Sequence, residues 1–387
     1  MLKLKTLFIY IGAFLIFGLF SCERHDEIVS TTVFEASLPD GFQLEVFAEG
    51  LNLPSSLAFA PDGSNRLFVN ELQSGEIKVF VDGKLKKKPF AKIETKVNGS
   101  FPYAGENGLI GIAFDNDYAT NKFVYFTAAI IENGGIFGKV FRFTDNNNRG
   151  EDETIILEGA QANPGHQIQS LTHGPDGKLY VAVGDAGFVN DVEDLNSLLG
   201  KILRINPDGS TPDDNPYGDN PVYAIGFRNN YDLVFRGNDL ITTENGASDN
   251  DELNIVMPGM HYGWPNNTGV TNNPDFVDPL FVWRQTVSPT GLMIYQGDQF
   301  PPEYKGKLFQ VLFGKTFEAG PSEISKRIVM SDMIGDGQET TFDFEDFLIY
   351  EDSGIGNPLD ITEGPDGSVY FTDLFQGKIC RIIYTGI

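Results

Sequence analysis

The stretch Gly174-Pro175-Asp176-Gly177-Lys178-Leu179-Tyr180-Val181-Ala182-Val183 decides the fold of this chain of 387 residues. Proline presets the first angle of a tight turn, and glycine accepts the positive φ that other residues avoid. The residues that follow alternate and are rich in valine and tyrosine, the pattern of a half-buried strand. The same turn-plus-strand unit returns at Ala60-Pro61-Asp62-Gly63, before Arg66-Leu67-Phe68-Val69-Asn70, and at Gly364-Pro365-Asp366-Gly367, before Val369-Tyr370-Phe371-Thr372. Weaker echoes are Asp115-Asn116-Asp117-Tyr118, Gly237-Asn238-Asp239-Leu240 and Glu303-Tyr304-Lys305-Gly306. The six marks lie roughly 50 to 65 residues apart, the length of one propeller blade.

Outward from these marks the chain holds 43 glycines and 32 phenylalanines and no long stretch of helical periodicity. Short alternating runs such as Phe42-Gln43-Leu44-Glu45-Val46-Phe47 and Lys122-Phe123-Val124-Tyr125-Phe126-Thr127 dominate. The expectation is an all-β chain: a six-bladed β-propeller of four-stranded antiparallel blades over 38–387. The strand at 42–47 should lie beside 378–384 and close the ring with the N- and C-terminal strands. A β-sandwich or jelly roll has no repeat of this length. No linker-like segment interrupts the strands, so one compact domain accounts for the length better than two.

The first residues read as an export signal. Lys3 and Lys5 precede an apolar run over 7–20, about 14 residues, short for a bilayer span but right for a signal-peptide core. Leu19-Phe20-Ser21-Cys22 resembles a bacterial lipobox, with 1–21 removed and Cys22 lipidated; an ordinary signal peptide with an incidental cysteine is the plainer reading. Residues 22–37 then form a polar, acidic tether, and the Glu23, Asp26, Glu27 cluster is either a surface-export signal or an ordinary solvated linker. The expected location is an exported bacterial lipoprotein, periplasmic or anchored at the outer membrane or cell surface. With Cys22 committed, Cys380 has no partner for a disulfide and reads as a small buried hydrophobe in a strand.

A net charge of -26, from 28 basic and 54 acidic residues, argues against nucleic acid or anionic lipid as partners. Membrane contact is then expected through the lipid anchor only. The balance fits a soluble body with cation sites.

The chemistry concentrates in 226–265. Gly226-Phe227-Arg228-Asn229 precedes the acid-rich loop Glu244-Asn245-Gly246-Ala247-Ser248-Asp249-Asn250-Asp251-Glu252-Leu253-Asn254, and His261-Tyr262-Gly263-Trp264-Pro265 follows. The loop offers backbone carbonyls and carboxylates together, which suits a hard cation such as calcium. Arg228 supplies a planar fork able to grip a carboxylate or polarise a carbonyl. Cation and guanidinium so close in sequence point to an anionic cofactor or substrate.

Of the four histidines, His25 lies in the tether, while His173 and His261 read as structural, one on a strand and one in the aromatic turn. His166, at the entry to a strand after Asn163-Pro164-Gly165, is placed either as a general base for a hydroxyl proton or as a strand cap. No glycine-rich dinucleotide or phosphate loop follows a strand, so nicotinamide and nucleotide chemistry are not supported.

Several motifs now occur in one order. They are Glu106-Asn107-Gly108-Leu109-Ile110-Gly111-Ile112-Ala113-Phe114, His166 through Gly177, Gly184-Asp185, Leu199-Gly200-Lys201-Ile202-Leu203-Arg204-Ile205-Asn206-Pro207-Asp208-Gly209 and Asp214-Asn215-Pro216. Gly226-Phe227-Arg228-Asn229, Asp251-Glu252-Leu253-Asn254, Tyr262-Gly263-Trp264-Pro265 and Ser288-Pro289-Thr290-Gly291-Leu292 follow. Together they resemble the soluble glucose/sorbosone dehydrogenases, the quinoprotein aldose sugar dehydrogenases, over nearly all of 38–387.

The resemblance implies pyrroloquinoline quinone (PQQ) and calcium in the mouth of a six-bladed propeller, and oxidation of an aldose or related sugar. It implies His166 as the base for the anomeric hydroxyl, Arg228 and Asn229 as quinone contacts, with Arg228 stabilising developing negative charge, and Glu106 as a polar cofactor contact. The carbonyls of Gly246 and Ala247 match the cofactor-bridging calcium, and Glu252 with the Tyr262 carbonyl matches a second calcium. Lys315 is a further cofactor contact. The electron acceptor is left open.

The chain also departs from the pattern. Asn357-Pro358-Leu359-Asp360 stands where well-known members carry Arg-x-Arg before the aspartate, Ile168-Gln169 stands for Gly-Gly, and Gly165 for an acidic residue before the base. The first removes two cations that would neutralise carboxylates, the second crowds a close approach, and the third removes an orienting partner for His166. Two other functions fit the same residues: a calcium-dependent lactonase-type hydrolase with His166 activating water, and a non-catalytic carbohydrate-binding propeller using Tyr262, Trp264 and Trp283 as stacking platforms.

Overall fold

The computed structural model describes residues 35–95, 105–316, 318–352 and 354–386, with Val33–Ile387 forming one compact unit. The leader over 1–21, Cys22 and most of the tether lie outside the described residues.

Six antiparallel sheets make six blades. Their first strands are Pro54–Phe59, Leu109–Phe114, Ile168–His173, Asn230–Arg236, Pro289–Ile294 and Pro358–Glu363 for blades 1 to 6. Each first strand contacts the first strand of the next blade, and the sixth contacts the first, so the six enclose a central channel. The chain is a six-bladed β-propeller. All six turn marks fall between the first and second strand of a blade, which is why they recur at blade length.

The Pro-Asp-Gly turn does more than reverse the chain. Gly63, Gly177 and Gly367 hold φ of +72°, +74° and +74°. Each aspartate accepts the N–H two residues on, at Ser64 (3.1 Å), Lys178 (3.1 Å) and Ser368 (3.0 Å). In blades 3 and 6 its other oxygen reaches across the sheet, to Tyr180 Oη and Arg204 Nε and to Tyr370 Oη and Arg381 Nη2. The turn residue thus pins three strands, and its recurrence reflects that bracing as well as backbone geometry.

Ring closure follows the expectation. Phe42–Ala48 pairs with Lys378–Tyr384, Phe42 opposite Tyr384 and Val46 opposite Cys380, and becomes the outer strand of blade 6. Ala36–Ser37, counted with the tether from sequence, instead adds a short edge strand to blade 5 against Glu345–Tyr350. The N-terminal chain therefore spans two blades. Cys380 is buried and unpaired, as expected.

Aromatic side chains fill the gaps between blades. Phe42, Tyr295, Phe300, Phe309, Phe347 and Phe371 form one cluster between blades 5 and 6. Burying each such side chain contributes on the order of 2 kcal/mol. Among the described residues no helix is long and apolar enough to cross a membrane.

Candidate functional site

In every blade the pairing of first and second strand slips once. The slips lie between Pro54 and Ser56, Leu109 and Ile112, Ile168 and Leu171, Asn230 and Leu233, Pro289 and Leu292, and Pro358 and Ile361. Such a bulge breaks strict alternation and re-aims a side chain. Ser55, Ile110, Gln169, Tyr231, Thr290 and Leu359, one from each blade, all line a single cavity of about 120 Å³ at the start of these strands. Glu106, Asn229, Asn245 and Ser288 add polar walls, and Leu72, Phe313 and Leu374 add an apolar wall.

His166 stands at the entry to blade 3 with φ +53°, a left-handed conformation that costs a non-glycine residue about 1 kcal/mol. Three contacts hold it there. Its N–H donates to Glu106 Oε2 (3.1 Å), its carbonyl accepts from Ala186 N (2.8 Å), and its Nδ1 donates to Asp185 Oδ1 (2.9 Å). An ionised carboxylate can only accept, so Nδ1 carries the proton and Nε2 keeps its lone pair. Burial alone would raise the Asp185 carboxyl. Hydrogen bonds from His166, from Gly187 N (2.8 Å) and from Trp264 Nε1 (2.9 Å) outweigh it and hold the group below the ordinary carboxylate range. Asp185 is therefore the orienting partner that the glycine at position 165 left in question. The signal for it was the Gly184-Asp185 motif, quoted but given no role.

Arg228 is held close by. Asp185 N donates to the Arg228 carbonyl (2.7 Å), and a Cβ on Gly184 would collide with the carbonyls of both His166 and Arg228. Arg228 Nη1 donates to the carbonyls of Asn245 (2.8 Å) and Gly246 (2.7 Å), and its guanidinium lies 5.8 Å from the Trp264 ring centre. Glu244 Oε1 accepts from the backbone N–H of Arg228 (2.5 Å) and of Asn229 (3.3 Å). Gln169 lines the cavity. Its Nε2 donates to Glu106 Oε2 and Asn229 Oδ1, both at 3.1 Å, while Ile168 is buried in the blade core.

The acid-rich loop gathers oxygen donors behind this pair. Glu244 and Glu252 face each other across neighbouring strands, both buried. Glu244 Oε2 and Asn254 Oδ1 are buried without a hydrogen-bond partner. Burial, reinforced by repulsion from Glu252, raises the Glu244 carboxyl, and burial pushes Glu252 up to about 7. The Gly246 carbonyl, already bonded to Arg228, has a second lone pair to offer, and Ala247 is exposed beside it. The phenol of Tyr262 is spent internally, donating to Ile255 O (2.6 Å). Among the described residues no three His, Cys, Asp or Glu side chains converge, so a cation here would need amide and carbonyl oxygens as well.

Lys315 is brought less near. It is exposed and lines a neighbouring surface pocket with Glu318 and Ser322, while the flanking Gly314 and Thr316 line the central cavity. Tyr262 (5 % exposed) is unavailable as a stacking platform for a sugar, whereas Trp283, packed on Phe281 and Phe344, is half-buried and does not line the central cavity. His173 and His261 are structural, packed against Tyr125 and Phe276.

The residues present fit a planar, acidic ring system with a bridging calcium. Thr290 Oγ1, buried and without a partner, lines the cavity together with Asn229, and Arg228 precedes Asn229 in the chain. The apolar wall opposite suits a ring face. At 357–359 the clamp is absent: Asn357 Nδ2 is bonded to the Phe313 carbonyl (2.6 Å), and Leu359 is part of the wall. Carboxylates would meet one fixed guanidinium.

Fold and site together define a propeller whose mouth sets an imidazole–carboxylate pair beside a guanidinium and an oxygen-rich loop. Residues 51–381 match the Glucose / Sorbosone dehydrogenase family, and the chain belongs to that family. It is 26% identical to the aldose sugar dehydrogenase YliI of Escherichia coli strain K12, over 89% of this chain and 93% of that protein. It is 28% identical to quinoprotein glucose dehydrogenase B of Acinetobacter calcoaceticus, over 65% of this chain and 58% of that protein. The crystal structure of a putative oxidoreductase (glucose dehydrogenase) from Thermus thermophilus superposes with a TM-score of 0.74 at 29% identity, covering 89% of this chain and all of that one. These relatives support an oxidoreductase of the sugar dehydrogenase class.

Proposed function

We propose that this protein oxidises an aldose or related sugar with PQQ and calcium at the mouth of the propeller. The observation that carries the reading is His166: its Nδ1 is fixed on Asp185, which leaves Nε2 free to accept, its backbone N–H is held by Glu106 of the cavity lining, and Asp185 N bonds the Arg228 carbonyl. Nε2 would take the proton of the sugar's anomeric hydroxyl, and Asp185 would stabilise the imidazolium that forms. Arg228, Asn229 and Gln169 would hold the cofactor's acidic edge, and Arg228 would balance negative charge that builds there. The carbonyls of Gly246 and Ala247 would be donors for a calcium beside the cofactor, and Glu252 with the Tyr262 carbonyl would be donors for a second. PQQ, when bound, supplies a two-electron hydride acceptor. The apolar wall of Leu72, Phe313, Leu359 and Leu374 keeps water from one side of the site.

The test is titration of the metal-free protein with PQQ and calcium, followed by aldoses with an artificial electron acceptor. Saturable, calcium-dependent quinone binding and dye reduction support the reading. Turnover of a lactone with calcium alone would replace it with the hydrolase. Export and lipid attachment at Cys22 belong to the same proposal. Fatty-acid labelling lost in Cys22→Ser supports them, and labelling retained in that variant would refute them.

A further inference from the structure

The Trp264 side chain touches both Asp185, the partner of His166, and Arg228. Its Nε1 donates to Asp185 Oδ2 (2.9 Å), while its ring lies under the Arg228 guanidinium at 5.8 Å. Asp185 Oδ1, the other carboxylate oxygen, is shared by His166 Nδ1 and Gly187 N. Every hydrogen bond to this buried carboxylate thus comes from the catalytic histidine, from the loop after Asp185, or from Trp264. The tryptophan is itself fixed, its N–H donating to the Gly226 carbonyl (3.0 Å) at the start of the Arg228 segment.

We propose that Trp264 is a positioning residue: it fixes the Asp185 carboxylate so that His166 keeps the Nδ1–H tautomer, and it holds Arg228 beside that pair. The proposal rests on the reading of His166 as the base. A carboxylate free to turn about its last bond would bond Nδ1 less steadily, and the neutral imidazole would then also populate the Nε2–H form, which cannot accept a proton. The indole N–H removes that freedom by occupying the second oxygen. The ring face adds a cation–π contact that aligns the guanidinium without spending its donors. The charged groups facing the imidazole are Asp185 and Glu106, with Arg228 across the indole.

Trp264→Phe keeps an aromatic ring near Arg228 and removes the N–H together with the five-membered ring that carries it. The chain has four histidines and two tryptophans, so ring and indole signals are few enough to assign by nitrogen-15 NMR. With neither cofactor nor sugar present, and at a pH where the imidazole is neutral, wild-type His166 is expected almost wholly as the Nδ1–H tautomer. In Trp264→Phe the Nε2–H form should grow to roughly a third. An unchanged tautomer ratio in a folded variant would overturn the proposal. Should that variant fail to fold, the wild-type protein still decides: the Trp264 indole N–H signal should shift with the protonation of His166 while that of Trp283 stays still. A Trp264 signal indifferent to that titration would overturn it equally. Neither readout needs turnover, so an absence of sugar oxidation would sink the functional reading without touching these results.

Discussion

At the mouth, the bulged residue of each inner strand faces the cavity: Ser55, Ile110, Gln169, Tyr231, Thr290 and Leu359. One position further along the same strands stand Ser56, Gly111, Ser170, Asp232, Gly291 and Asp360, of which Ser56, Ser170, Asp232 and Asp360 line a second cavity. The second ring is more acidic, yet its carboxylates are fully engaged. Asp232 accepts from Leu233 N (2.8 Å) and from Leu292 N of blade 5 (2.9 Å). Asp360 accepts from Ile361 N (2.9 Å) and from Leu57 N of blade 1 (2.9 Å). Each is a staple to the next blade. A side chain on Gly111 or Gly291 would run into the neighbouring strand, so these two positions let adjacent blades close up. Near the mouth, Thr290 Oγ1 and Glu244 Oε2 are buried with nothing to bond. Satisfied carboxylates hold the ring together, and unsatisfied oxygens mark where something else binds.

The sharpest way to break this contrast is to remove one group from each end. His166→Ala should lower dye-linked sugar oxidation by on the order of 10³-fold, whereas Asp360→Asn should leave turnover near wild type and lower thermal stability. Equal loss of turnover in both variants would erase the division of labour. A smaller effect is expected for Arg228→Lys. An ammonium keeps the charge and can replace Nη1 on the carbonyls of Asn245 and Gly246, but it has no Nε or Nη2 left for a ligand and no planar fork, so activity should fall roughly 10- to 100-fold with calcium-dependent stabilisation retained. Wild-type kinetics in that variant would show that charge alone suffices.

The same contrast explains what could be read without coordinates. The blades were legible because proline, aspartate and glycine at 61–63, 175–177 and 365–367 fix one local turn, and a local constraint repeats wherever the geometry repeats. His166, Arg228, Asn229 and Glu106 were legible as candidates because their residue types and spacing carry chemistry. Asp185 and Glu244 carried no individual role in the sequence, and Trp264 read only as a stacking platform, because each acts across the fold. Asp185 meets His166 from the far end of a hairpin, Glu244 works through two backbone N–H groups, and Trp264 reaches blade 3 from a loop of blade 4. No periodicity records such pairings. Gln169 enters the cavity because a bulge, invisible in the alternation, turns it there.

Metal removal sharpens the contrast at the level of stability. Ion binding to the native state stabilises it by about 2.7 kcal/mol when the ion is at 100 times its dissociation constant. A calcium chelator is therefore expected to lower the melting temperature by roughly 3–5 °C. In Glu252→Gln the same addition should do little, because one of the two facing carboxylates is gone. A chelator effect of equal size in Asp360→Asn, read by scanning fluorimetry, would confirm that the second ring takes no part in binding the ion. Loss of the effect in that variant would move the ion into the channel.

The last effect is the smallest and concerns the second ring alone. Burial, with added repulsion from Asp232, pushes the Asp360 carboxyl up to about 7 from its ordinary 3.8. Between those values the folded chain holds a proton that the unfolded chain has released. The contribution is fully present below about pH 4 and is lost as pH rises through 7. Stability measured in chelator, so that the calcium ligands contribute no ion-linked slope, should therefore decline across this window by on the order of 2 kcal/mol. Glu252, also raised to about 7, adds a decline of the same sign. The part due to Asp360 is isolated by Asp360→Asn, whose urea midpoint should fall less steeply with pH than that of the wild type. Identical slopes would mean that Asp232 and Asp360 stay ionised together, their charges already balanced by the four N–H groups that face them.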